Sequence, residues 1–171
     1  VVVRILRKPE SVRTLLAAFD TIDAAGTAVS DIISAGIIPA AVEMMDALAI
    51  EAAEAAVQPG FPKAEAVLVV ELDGPEAEVR ELFPIVEAIC RRAHATSIEV
   101  AKDETQRARI WKGRKAAFAA MGRVSPNYYV QDGVVPRTKL PEVLGRIRQL
   151  EARCGLRIAN VFHAGDGNLH P

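Results

Sequence analysis

Excess charge, long apolar runs and cysteine pairs are all missing from this sequence, and each absence narrows what the chain can be. Lys plus Arg total 21 against 22 Asp plus Glu, a formal charge of −1. Such a chain generates no long-range field to draw in phosphate backbones or anionic lipid, so nucleic acid is not an expected partner. No apolar run reaches the roughly 18 residues of a membrane-spanning helix, so no transmembrane segment is expected. Val1-Val2-Val3-Arg4 also lacks the charged start and apolar body of a secretory signal. Cys90 and Cys154 have no CxxC spacing, which points to two free, semi-buried thiols in a reducing, cytoplasmic compartment. There is no initiator Met, and the chain stops at Pro171 directly after a motif, so both ends are expected to be cut from something longer.

The composition that remains belongs to an ordinary globular domain: 50% of residues are apolar and 25% charged. A chain of 171 residues buries about two-thirds of its unfolded surface, enough for one core over 1–171 without staples.

Local patterns divide the chain as follows. The opening Val1 to Leu6 reads as a strand, and Ser11 as the cap of a helix with apolar positions Leu15, Leu16, Phe19 and Ile22. From Thr27 to about Ala56 the spacing predicts helix in two pieces, broken at Gly36 and Pro39, with Met44, Met45, Leu48 and Ile50 as a core stripe. Ala66 to Leu72 is a β-rich run, followed by a helix over 75–94 and a short strand from Ser97 to Ala101. Asp103 starts a helix that stops near Gly122, and Tyr128 to Asp132 reads as a strand. A helix over Lys139 to Arg153 is closed by Gly155, and Leu156 to Phe162 is a last strand. Alternation of this kind fits α/β architecture, but an antiparallel α+β sheet with helices on one face, as in split β-α-β folds, fits equally, and periodicity does not choose. The two halves share a loose strand-helix-strand rhythm consistent with a duplicated plait.

The last strand delivers the chain into His163-Ala164-Gly165-Asp166-Gly167-Asn168-Leu169-His170. Gly165 and Gly167 let this segment fold back, so that both imidazoles can face one point. Two imidazoles with one carboxylate and an open position suit Zn, Mn or Fe(II). Asp166 is the nearest carboxylate, yet the middle of a Gly-Asp-Gly turn favours a side chain that bonds backbone N–H groups and holds the turn. Spacing alone also allows a structural His163 at a strand end and an exposed His170.

His163 to Pro171 (HAGDGNLHP) closely resembles the signature of the FAD-linked oxidase C-terminal domain, the family of glycolate oxidase and D-lactate dehydrogenase-like flavoproteins. The stretches AGIIPAAVEMMD (Ala35 to Asp46), VELDG (Val70 to Gly74), IWKGRKAAFAAMG (Ile110 to Gly122) and YYVQDGVVPRTKL (Tyr128 to Leu140) are similar to the same family. The resemblance implies a ferredoxin-like α+β plait that caps a flavin held mainly by an upstream FAD-binding domain absent from this chain. It implies oxidation of a small 2-hydroxy acid, glycolate or D-lactate, with His163 and His170 on a divalent metal (Zn, Mn or Fe) and Gly165, Asp166, Gly167 and Asn168 against the cofactor. Family members add a Glu ligand and a neighbouring His from a later segment, so the site is expected to be incomplete here and the chain alone inactive.

By the same resemblance Arg114 is the candidate for the substrate carboxylate, which its planar guanidinium matches as a bidentate fork. The alternative is a solvated helix face shared with Arg109, Lys112 and Lys115. Relatives acting on dicarboxylates carry further polar contacts where this chain has Phe118 and Val130, which favours a monocarboxylate. Trp111, Phe118, Tyr128 and Tyr129 are read as core rather than pocket. Other oxidase subunits, and a peripheral inner-membrane location through them, are expected by analogy. The rival function is a non-catalytic, ferredoxin-like binding or assembly module in which the glycine turn is merely structural.

Overall fold

A computed structural model describes residues 2–3 and 8–171. The strand read at Val1 to Leu6 falls largely outside the described residues, and Val2 and Val3 are exposed without regular structure. The ordered chain begins with strand β1, Ser11–Phe19, then α1 (Ile22–Ser34), β2 (Ala41–Asp46), α2 (Ala47–Val57), β3 (Ala66–Gly74), α3 (Glu76–Arg92) and β4 (Ser97–Val100). There follow α4 (Glu104–Ala120), β5 (Gly133–Val134), α5 (Leu140–Cys154), β6 (Val161–His163) and β7 (Asn168–Leu169). They form a seven-stranded sheet in the order β4-β1-β3-β2-β6-β7-β5, and every described pairing is antiparallel.

The first four strands in the order β4-β1-β3-β2 are a split β-α-β plait, as the family resemblance implies. Among the described residues the second half of the chain contributes three short strands to the β2 edge rather than a second complete plait. The helices do not all lie on one face. Leu15, Ala17, Phe19, Met44, Leu68 and Val70 pack with α1, α3 and α5, whereas Leu16, Ala18, Met45, Val67 and Val69 pack with α2 and α4. Successive strand residues point to opposite faces, so the central strands need apolar side chains on both.

That double burial explains the misread elements. Leu15, Leu16 and Phe19 match a helical stripe, yet they belong to a strand buried on both faces, paired with β3 through Leu15↔Val70 and with β4 through Leu15↔Val100. Met44 and Met45 likewise diverge from β2 into opposite cores, and the helix starts only at Ala47, capped by the Asp46 carboxylate accepting from the Ala49 N–H at 3.0 Å. Tyr128 to Asp132 is not a strand; the short β5 lies just beyond it, and Tyr128 and Tyr129 are 49% and 83% exposed, outside the core. The strand read at Leu156 to Phe162 is confined to Val161–His163. The helices α3, α4 and α5 and the strands β3 and β4 lie close to where the sequence predicts them. Cys90 is buried and Cys154 exposed, both free.

Candidate functional site

The site lies where strands β2 and β6 meet under helix α4. Register pairs Glu43 with His163, Met44 with Phe162 and Met45 with Val161. Met45 and Val161 belong to the core under α2 and α4, so by alternation Glu43 and His163 project to that same side. Arg114 comes down from α4 onto Glu43: its Nε and Nη2 both donate to Oε2, at 3.1 and 2.7 Å, while Oε1 lies 2.8 Å from His163 Nδ1.

Arg114 is therefore neither on a solvated helix face nor freely presented as a fork. It is 5% exposed, and the Nε–Nη2 edge is engaged by Glu43. Nη1 has no hydrogen-bond partner among the described residues.

Beyond His163 the chain turns through Gly165 to Gly167 and returns as β7, with His163 opposite Asn168. The turn is held by backbone. Gly165 N–H donates to Val42 C=O at 3.0 Å, Asp166 N–H to His163 C=O at 3.1 Å, and Val135 N–H to Gly167 C=O at 2.9 Å. Gly167 has φ +74°, and a Cβ there would run into the Val135 carbonyl. The Asp166 side chain is exposed and bonds to no described residue, so it does not hold the turn as expected; Arg137 Nη1, donating to the Gly165 carbonyl at 3.2 Å, contributes instead.

This return brings the two histidines together. The rings of His163 and His170 stand edge to face, centroids 5.6 Å apart at 87°, and the Phe118 ring centroid is also 5.6 Å from that of His170. His170 Nδ1 lies 3.6 Å from Asp132 Oδ1. Two hollows flank the pair. One of about 390 Å³, beside His163, is lined by Glu43, Arg137, Gly165 and Asp166 among others. The other, about 600 Å³ and mostly apolar, is lined by Phe118, Tyr128, Val161, His170 and Pro171 among others. The Asn168 Oδ1 is buried and has no partner among the described residues.

Two adjacent imidazoles, one backed by a carboxylate, are a donor pair of the right chemistry for Zn, Mn or Fe(II). No group of three or more His, Cys, Asp or Glu side chains converges to hold a metal among the described residues, so the two histidines alone do not make a metal site. Sequence reasoning brought together His163, His170 and Arg114, and missed Glu43. The signal available was a lone acid inside the apolar run Ala41-Val42-Glu43-Met44-Met45.

The family model described as FAD linked oxidases, C-terminal domain matches residues 8–171. The chain belongs to this family. It is 53% identical over its whole length to the glycolate oxidase subunit GlcD of Escherichia coli, and 38% identical over 99% of its length to the GlcD subunit of Bacillus subtilis. A mitochondrial cytochrome-type D-lactate dehydrogenase of Arabidopsis thaliana is 29% identical over 99% of the chain. The chain spans about a third of these relatives, 34%, 36% and 30% of their lengths. Among solved structures, an alkyldihydroxyacetonephosphate synthase aligns over 95% of the chain and 35% of its own length, with TM-score 0.70 and 16% identity. A 4-ethylphenol oxidase from Gulosibacter chungangensis aligns over 96% of the chain and 39% of its own, with TM-score 0.66 and 13% identity. These structural likenesses establish the fold of the FAD-linked oxidase domain. The named sequence relatives are enzymes or enzyme subunits.

Proposed function

We propose that this chain is the substrate-side cap of an FAD-dependent oxidoreductase that converts a small 2-hydroxy acid, glycolate or D-lactate, into its 2-oxo acid. The observation that carries this reading is the meeting of His163 and His170 at the glycine turn, in a chain 53% identical to a glycolate oxidase subunit. The oxidation removes a hydride from the carbon bearing the hydroxyl and a proton from that hydroxyl. FAD, when bound, supplies the acceptor for the two electrons.

The chain's own residues would bind and orient. His163 and His170 hold a divalent cation, Zn, Mn or Fe, whose remaining ligands come from outside this chain; such an ion would fix the substrate oxygens and ease loss of the hydroxyl proton. Arg114 offers the substrate carboxylate its unengaged Nη1 side, with Phe118 as an apolar wall favouring a monocarboxylate. Gly165, Asp166, Gly167 and Asn168 would form the surface toward the flavin. The FAD-binding domain of the longer protein is the partner of this face. Association with other oxidase subunits, and through them with the inner membrane, belongs to the same reading, and co-purification with the full-length protein tests it. No described helix is long and apolar enough to cross a membrane.

The deciding experiment is elemental analysis of the full-length protein, wild type beside the His163→Ala/His170→Ala double variant, with FAD content and turnover of glycolate and D-lactate on the same samples. Metal and turnover are expected to be lost together with FAD retained. An active wild type without metal would reduce the histidines to a structural turn.

A further inference from the structure

Glu43 is 7% exposed in a strand whose neighbours Val42 and Met44 are apolar. A buried carboxylate costs several kcal/mol unless its oxygens are satisfied, so the way they are satisfied is informative. The molecule contains its own control. Glu71 meets Arg107 in the fork that suits a plain ion pair, Oε2 taking Nε at 2.8 Å and Oε1 taking Nη2 at 2.9 Å. Glu43 does not. Both of its guanidinium contacts fall on Oε2, and Oε1 is left to the His163 Nδ1 at 2.8 Å. One acid thus serves two different residues of the site, one from β6 and one from α4.

We propose that Glu43 is a positioning residue. Its Oε1 accepts a hydrogen bond from His163 Nδ1–H and so fixes the tautomer that keeps the lone pair on Nε2, the nitrogen free to bind a metal. Its Oε2 fixes the Arg114 guanidinium by one edge and leaves Nη1 for an anionic ligand. Metal ligand and carboxylate-binding cation are held at a set spacing by a single side chain that touches neither metal nor substrate. The inference rests on the metal reading of His163 and extends it to a residue outside the motif.

The test measures Zn²⁺ and Mn²⁺ affinity by chelator competition in the full-length, FAD-loaded protein, for wild type, Glu43→Gln, Glu43→Asp and His163→Ala, with KM and kcat alongside. Gln keeps the volume but replaces one acceptor by a donor, so E43Q is expected to weaken metal binding about 10–100-fold and to raise KM as well as lower kcat. E43D, which keeps the charge on a shorter arm, is expected to fall between E43Q and wild type. Should E43Q lose its FAD, E43D against wild type decides by the same affinity. A role confined to a buried ion pair would lower the melting temperature and leave metal affinity at the wild-type value, and that result would overturn the inference provided His163→Ala abolishes binding. Metal binding unchanged in His163→Ala would overturn the underlying metal reading, and this inference with it.

Discussion

Glu71 shows how much one buried acid can gather. Its carboxylate accepts from Thr14 Oγ1 at 2.6 Å and Trp111 Nε1 at 2.7 Å in addition to the Arg107 fork. Burial would push its pKa up, but these donors and the Arg107 charge outweigh burial and hold it below the ordinary value. A depressed carboxylate contributes stability above its unfolded pKa and loses it as pH falls through the folded one. Asp46 runs the other way. Burial outweighs the bonds it accepts from the Ala49 and Asn160 N–H groups and the Asn160 amide, and raises it from 3.8 to about 6. Its folded form holds the proton longer, so its contribution declines as pH rises from about 4 to 6 and is flat above. E71Q is therefore expected to destabilise by about 1–3 kcal/mol at neutral pH, read by denaturant unfolding, because it breaks the buried fork and leaves Arg107 only the exposed Glu104 as an ionic partner. Comparing wild type with D46N at pH 4.5 and pH 7, wild type is expected to lose stability relative to D46N on going up in pH. A difference independent of pH would refute the raised pKa of Asp46.

At the scale of elements, α4 positions the site by its inner row. Arg107, Trp111, Arg114 and Phe118 recur at helical spacing; Arg107 and Trp111 reach Glu71 on β3, and Arg114 reaches Glu43 on β2. Gly113 allows the helix to approach the loop after α2, since a Cβ there would sit 2.8 Å from the Pro59 Cβ and still closer to the Phe61 ring. G113A is expected to cost about 1–3 kcal/mol by overpacking, measured as a fall in the unfolding midpoint. The β6–β7 turn is similarly intolerant at Gly167. G167A must move the chain away from the Val135 carbonyl, and in the full-length protein it is expected to weaken metal binding although no ligand has changed. Unaltered affinity would show that the turn does not set the histidine spacing. The legible elements were α3, α4, α5, β3 and β4. The first two helices and strands were harder, because β1 and β2 lie between two cores and their apolar residues are consecutive rather than alternating.

At the scale of the molecule, the hollow of about 600 Å³ beside His170 is rimmed by exposed apolar groups, among them Tyr129 at 83% and Leu156 at 61%. Such a patch marks a contact surface. Under the proposed function, the expected cover is the FAD-binding domain of the longer protein. Hydroxyl-radical footprinting is expected to label Tyr128 and Tyr129 strongly in the isolated chain and weakly in the full-length protein. Equal labelling would place that contact elsewhere.

By itself the sequence determined the family, the histidine motif, the helices that bury a single stripe and the lack of an apolar run long enough for a membrane-spanning helix, because each is written in neighbouring residues. Only the tertiary structure decided which faces of β1 and β2 are covered, that helices lie on both sides of the sheet, and that Arg114 is engaged by Glu43. Those outcomes depend on pairing residues such as Glu43, Arg114 and His163, which are far apart along the chain and meet only through strand register and helix packing.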